Sequence, residues 1–469
     1  MKNEIMKTNP KKTPKLAIKF ANIVFFSAII LFTLFAVYVF LKIFNIPKTI
    51  DPTFYHVAFI LAISTTILFI IGINKLNNEI KVNFSLILIS TLISIYGFEI
   101  FLTFGSAGQI KGTNYDTRTK IEVIQDFLDL GITAYPPASP SLHSNISNSQ
   151  IYNLGTISDT KTVLCSEGGD WTVYQSDEHG FNNPKELYDN KIDIILTGDS
   201  FTEGGCVKPD ETISAVLHGA GFNAINIAMS GNGPLKELAS IKEYAEPLKP
   251  KIIIWVYYVN DLSDLERESQ SPFLKQYLED SLFSQNLILR QEEIDKILTK
   301  YLDGKWQSLE EGVNRRKIEK VMSFFELTNL RLRFNLLPQQ KKFMSSLVFK
   351  DVLENANDMI SKWNGKLYFV YLPPFLRYSS GNEDINREFV IKTVNELNIP
   401  IIDIHEEVFN THPDPLSLFP FRQVGHYNAE GYRLVAESIK NRIIADRVTN
   451  VILANPNKGK EPPLAELSQ

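Results

Sequence analysis

Four short clusters along the 469-residue chain carry side chains that can do chemistry together. The first is Gly198-Asp199-Ser200, directly behind the apolar run Ile192 to Leu196. A serine there sits at the carboxyl end of a strand, where an open α/β sheet holds its ligands. The glycine permits a tight turn, and Phe201-Thr202-Glu203-Gly204-Gly205 allows close backbone approach with an N–H aimed at a bound oxyanion. Behind the next apolar run comes Asn226 to Gly231, where Gly231 can offer an unhindered N–H to the same oxyanion. Third is Val259-Asn260-Asp261, in which the Asn260 side-chain amide is a further donor. Last is Gly425-His426-Tyr427-Asn428, just before a final helix. A serine hydroxyl is a poor nucleophile near neutral pH and needs an adjacent base, which His426 can be. Each cluster alone reads as an ordinary turn; their order, three of them at successive strand ends, gives them weight.

The other histidines have plainer settings. His56 lies at the edge of an apolar span, His143 in a polar loop and His218 at a helix end. His405 and His412 lie near the fifth strand without a glycine context, and His179 falls in Ser176-Asp-Glu-His-Gly-Phe-Asn-Asn-Pro184, expected to pack on the sheet near the site. No His, Cys and carboxylate cluster has metal-ligand spacing, and no phosphate-cradling glycine loop is present. No metal or other cofactor is expected.

The elements that must position these residues follow from the apolar rhythm. Runs at Ile192 to Leu196, Ala224 to Ala228, Ile252 to Tyr258, Lys366 to Tyr371 and Ile399 to Ile404 read as strands of a parallel sheet covered on both faces. Helices are expected at Glu211 to His218, capped by Asp210, at Leu235 to Tyr244, and at Ala429 to Ile444. The fold class is therefore α/β, a doubly wound sheet with right-handed crossovers. A charge-rich, helix-periodic stretch, about residues 265–362 and including Gln291 to Tyr301 and Glu310 to Leu327, reads as an α-helical insertion near the sheet's carboxyl edge. It is a lid, a partner surface or a solvated elaboration. Residues 106–190 read as a connector packed on the main domain, with one helix at Thr117 to Leu130. The hydrolase-like domain covers 191–449, and 450–469 reads as a disordered tail.

With Ser200, Gly231, Asn260 and His426 in this order, the chain resembles the SGNH/GDSL hydrolase superfamily over roughly Lys191 to Arg447. The resemblance implies a flavodoxin-like three-layer sandwich and acyl transfer from esters through an acyl-serine. It also implies an oxyanion hole of the Ser200 N–H, the Gly231 N–H and the Asn260 amide. The family usually places Asp three residues before the catalytic His; here that residue is Gln423. Either His426 is oriented by a carbonyl, or an acid comes from elsewhere, with Asp414 the nearest upstream candidate.

Ahead of all this stand three apolar runs, Phe20 to Phe40, Pro52 to Asn74 and Val82 to Phe98, each long enough or nearly so to cross a bilayer. The third extends to Phe104 if Glu99 sits near the membrane interface. Lys2, Lys7, Lys11, Lys12, Lys15 and Lys19 precede the first span, and Lys75 and Lys81 bracket the loop after the second. Positive-inside logic makes residues 1–105 a three-span anchor with a cytoplasmic N-terminus and the rest outside the cytoplasm. Cys165 and Cys206 both fall outside; their spacing leaves free thiols open, and an oxidising compartment favours one disulfide. A net charge of -5 gives no reason to expect a nucleic-acid partner.

These readings give an esterase in a bacterial cytoplasmic membrane, removing O-acyl groups, expected to be acetyl, from an envelope or exported glycan. The same Ser200 and His426 would serve an O-acyltransferase, which with only three spans would need an envelope partner to deliver its acyl donor. The absent family Asp also leaves open a catalytically silent assembly component.

Overall fold

The computed structural model describes residues 13–46, 50–110, 116–138, 151–304, 318, 321–334, 336, 347–381 and 384–454. They form two compact units.

The first unit contains α1 (Lys15–Ile43), α2 (Thr53–Lys75) and α3 (Asn78–Ile110), all three long and apolar enough to cross a membrane. Their large apolar side chains, such as Phe26, Leu34, Leu68 and Ile93, point outward, as they must where lipid is the solvent. Against α2, α1 turns a stripe of small residues, Ala21, Ala28 and Ala36, around Phe25, whose ring meets Phe69 edge-on at 5.2 Å. Residues 321–334, from the expected insertion, belong to this unit. Glu99 is fully buried. Its carboxylate accepts from Asn329 N and Nδ2, both at 3.0 Å, and from Leu330 N at 2.8 Å. Three donors offset what would otherwise be a costly buried acid.

The second unit is built on five parallel strands: β4 (Ile194–Thr197), β5 (Ala224–Asn226), β6 (Ile252–Tyr257), β7 (Lys366–Tyr371) and β8 (Ile401–Asp403), ordered β5-β4-β6-β7-β8. This is the flavodoxin-like order. In register, Ile194 faces Ala224 on one side and Ile252 on the other, and Ile252 faces Lys366. Because side chains alternate, Ile252, Ile254 and Val256 enter one core while Ile253, Trp255 and Tyr257 enter the opposite one. Burying each aliphatic side chain stabilises the sheet by roughly 1.5–3 kcal/mol. Strand ends differ from the expected ones by a residue or two, and β7 matches fully.

The helices depart from expectation mainly in how they start. The second-layer helix is Ile213–Gly219, capped by Thr212, whose side chain accepts from Ala215 N at 3.2 Å; Asp210 lies in the preceding turn Pro209–Glu211. Helix Pro234–Ser240 continues as a wider turn, Ile241–Ala245. The closing helix runs Ala429–Ala454, into the stretch expected to be tail, and residues 455–469 of that tail lie outside the described residues.

The connector holds more than its one expected helix, Lys120–Asp129, which starts on a reciprocal Thr119–Glu122 capping box. It also carries a small sheet, β1 (Ala134–Tyr135), β2 (Lys161–Val163) and β3 (Val173–Gln175). Its Tyr135, Ile151, Leu154 and Phe181 share a core with Ile195 and Ile253 of the large sheet.

Part of the insertion packs into the core of the second unit. Helix Gln291–Asp303 puts Ile294, Leu298 and Leu302 into the same core, and Asp295 accepts from Ser158 N at 2.8 Å. Of the stretch Glu310 to Leu327, residues 310–317 and 319–320 lie outside the described residues, and 321–327 belong to the first unit.

Candidate active site

The backbone after β4 must turn sharply to present Ser200. A Cβ on Gly198 would lie 2.1 Å from Thr202 Oγ1 and 2.8 Å from the Val256 carbonyl, so only glycine fits. Asp199 then caps the short helix Ser200–Glu203, its carboxylate accepting from Phe201 N at 2.9 Å. Ser200 Oγ stands 2.8 Å from His426 Nε2. The imidazole packs on Phe201, ring centroids 4.7 Å apart, and lies so close over Gly205 that a Cβ there would come within 2.6 Å of it.

The third member of this chain of contacts is Glu167. Its Oε1 lies 3.0 Å from His426 Nδ1, and its Oε2 accepts from the His426 backbone N–H at 2.7 Å. Sequence reasoning missed it. Asp414, the acid proposed from sequence, is instead paired with Arg422, whose Nη1 donates to it at 3.0 Å. The carboxylate that meets His426 is that of Glu167 and not that of Asp414. Burial by itself lowers the pKa of His426, but the Glu167 hydrogen bond and charge outweigh it and hold the imidazole above its ordinary value. Burial likewise pushes Glu167 up, and its bonds to His426 bring it below the ordinary carboxylate range. The pair is therefore arranged to favour a charged imidazolium.

A disulfide joins Cys165 to Cys206, with Cα atoms 5.2 Å apart. It fastens the segment bearing Glu167 to the loop that begins at Ser200. Glu167, Cys206 and His426 bring ligand-type atoms within 4.8 Å of one another, but Cys206 Sγ is committed to the disulfide and has no thiolate for a metal.

Ser200, Gly231 and Asn260 follow β4, β5 and β6, which are neighbours in the sheet, so the three converge on one edge. Gly231 takes φ +81° and its carbonyl accepts from Lys236 Nζ at 2.9 Å. Asn260 Nδ2 donates to Asp264 at 2.8 Å.

The segment Ser176 to Pro184 ties these loops together. Asn182 Nδ2 donates to the Glu203 carbonyl at 2.8 Å, and Asn226 Nδ2 donates to the Asn182 carbonyl at 2.7 Å. Asn183 exchanges bonds with the Asn226 backbone in both directions, each at 2.8 Å. Glu203 in turn accepts from Ser230 N at 2.7 Å and from Tyr174 at 3.0 Å. The Ser200 loop and the Gly231 loop are thus cross-braced by buried side chains. Behind them Glu237 and Asp261 are fully buried, and neither Glu237 oxygen has a hydrogen-bond partner. Burial first, and neighbouring acids second, hold both well above the ordinary carboxylate range.

No family model and no curated protein matches the chain. Among solved structures it is similar to a putative lipolytic protein of the G-D-S-L family from Desulfitobacterium hafniense, 15% identical, covering 54% of this chain and 99% of that one, TM-score 0.29. It is similar to an acetyl xylan esterase, AlAXEase, at 14% identity over 54% of this chain and 100% of that one, TM-score 0.29. A two-domain esterase active on acetylated mannans matches at 13% identity and TM-score 0.28, with 55% of this chain spanning 50% of that one. The chemistry below rests on the contacts around Ser200 and not on these likenesses.

Proposed function

We propose that this chain is a membrane-anchored serine hydrolase of the SGNH type that cleaves ester bonds through an acyl-serine. The observation that carries the reading is the continuous relay Ser200 Oγ to His426 Nε2 at 2.8 Å and His426 Nδ1 to Glu167 Oε1 at 3.0 Å. His426 takes the Ser200 proton as the oxygen attacks the acyl carbon, and Glu167 steadies the imidazolium that forms. The tetrahedral oxyanion draws on the Ser200 and Gly231 N–H groups and the Asn260 amide, each such donor accounting for roughly 10²–10³ in rate. His426 then returns the proton to the leaving alkoxide. Water, activated by the same base, attacks the acyl-serine, and the carboxylic acid departs with Ser200 restored.

The lysines before α1 and around the loop after α2, together with the Cys165–Cys206 disulfide, support a catalytic domain outside the cytoplasm. An enzyme so placed meets the O-acyl groups, acetyl above all, of envelope and exported glycans. A reporter enzyme fused after Gly105 should be active only on the outer side; activity inside overturns the orientation.

Labelling with a fluorophosphonate tests the chemistry. Wild-type protein should label and Ser200→Ala should not; equal labelling sinks the enzymatic reading. Glu167 in contact with His426 supports the enzymatic reading over a silent assembly role. Offering an acetylated glycan with and without an acceptor sugar separates hydrolysis from transfer: free acetate should dominate.

A further inference from the structure

The helical segment 321–334 docks on one end of the three-helix unit. Glu326 accepts from Tyr38 of α1 at 2.5 Å, and the Phe325 carbonyl accepts from Tyr96 of α3 at 3.2 Å. Arg331 lies 5.2 Å over the Phe54 ring of α2, and Asn329 donates to Glu99 and Thr103 of α3, both at 3.0 Å. These contacts fall where α1 ends, α2 begins and α3 ends, away from Lys15, Lys75 and Lys81. By the charge argument this is the outer end of the bundle.

While its polar groups face the bundle, the segment leaves Val321, Met322, Phe325, Phe334 and Leu336 exposed, with Phe325 and Phe334 each 60% accessible. Water is a poor solvent for such a surface. The exposed faces of the helices it docks on, including Phe35, Val57, Ile93 and Ile100, are themselves apolar. Tyr38, Tyr55, Tyr96 and Arg331 form the aromatic and basic fringe expected where acyl chains meet headgroups. We infer that residues 321–334, with Leu336, are a lipid-contacting element of the outer leaflet, held by Glu99. The stretch of chain between β6 and β7 would thus enter the membrane interface, a second tie to the bilayer besides the chain that follows α3. This goes beyond the proposed esterase activity and does not depend on it.

Full-length protein in phosphatidylcholine vesicles tests it, with an NBD label on Phe325→Cys and, in parallel, Phe334→Cys. Ile93→Cys on α3 serves as the membrane reference and Leu282→Cys, 90% exposed, as the aqueous one. Labels at 325 and 334 should shift to the blue and lose emission to nitroxide-bearing phosphatidylcholine, like the label at 93, while iodide leaves them bright. Adding Glu99→Ala should release the segment and expose both labels to iodide. If both labels behave like that at 282 while 93 is quenched by lipid, the inference is overturned and the three spans stand. If 93 also escapes lipid quenching, the spans fall with it.

Discussion

Glu167 holds His426 at two points, the backbone N–H at 2.7 Å and the ring Nδ1 at 3.0 Å, so one carboxylate fixes both the position of the residue and the tautomer of its ring. A single acid acting on both leaves the Nε2 lone pair directed at Ser200.

Replacing that acid separates its two effects. Glu167→Gln should lower the kcat plateau for p-nitrophenyl acetate by about 10²–10⁴. Activity needs neutral His426, so in the wild type it climbs as pH rises through a pKa held above the ordinary imidazole value. Without the carboxylate, burial dominates, the pKa falls, and the acid limb of the kcat/KM profile moves to lower pH. An unmoved limb would show that Glu167 does not set the His426 pKa.

The disulfide should act through the same acid. Cys165→Ser frees a loop closed over 41 residues and should cost on the order of 2–4 kcal/mol in unfolding free energy, read by urea titration. At temperatures where the variant is still folded, kcat should fall more than KM changes. Combined with Glu167→Gln, the second substitution should add little to the loss in kcat. Full additivity would mean the disulfide supports catalysis by some other route.

Gly205 is the floor under the imidazole. Gly205→Ala places a methyl within 2.6 Å of the ring carbon and should displace His426 from Ser200. A shift approaching 1 Å lowers kcat by about 10². The melting temperature should change little, because the loop stays tied by Cys206 and by Asn182. A variant with wild-type kcat would show that the ring has room to yield.

The buried Glu237 gives a pH dependence of stability. Its folded pKa lies well above the ordinary value, so the proton is kept on folding and lost on unfolding once pH exceeds the ordinary carboxylate range. Its contribution is full below that range and is lost as pH rises toward the folded pKa. Glu237→Gln retains the stem and cannot ionise. The melting temperature of the variant should decline less from about pH 5 to pH 8 than that of the wild type. Parallel curves would assign the decline to Asp261 or another group.

Much of the site is legible in the sequence because it is local. Ser200, Gly231 and Asn260 each follow an apolar run that can only be a buried strand, and β4, β5 and β6 prove adjacent. Glu167 was not legible because it lies 259 residues from its partner and breaks the short spacing that a family acid would keep. A signal was nevertheless present: Cys165 stands two residues before it, and Cys206 belongs to the serine's own loop. The insertion shows the same limit. Periodicity gives a helix at Gln291–Asp303 and helical character further on, but not that one part packs on Ser158 and another on Glu99. The Thr212 cap was missed for a smaller reason: Pro209–Glu211 already forms a turn, which shifts the first free N–H groups onward.

The Cys165–Cys206 link also sets an order of events in the life of the molecule. With both thiols reduced, the chain has no covalent hold on the segment that supplies Glu167. Only when the two thiols have given up their electrons is the acid fastened in place. On the proposed topology, maturation of the site would coincide with delivery, and the proposed ester cleavage would be slow in a chain still inside the cell that made it.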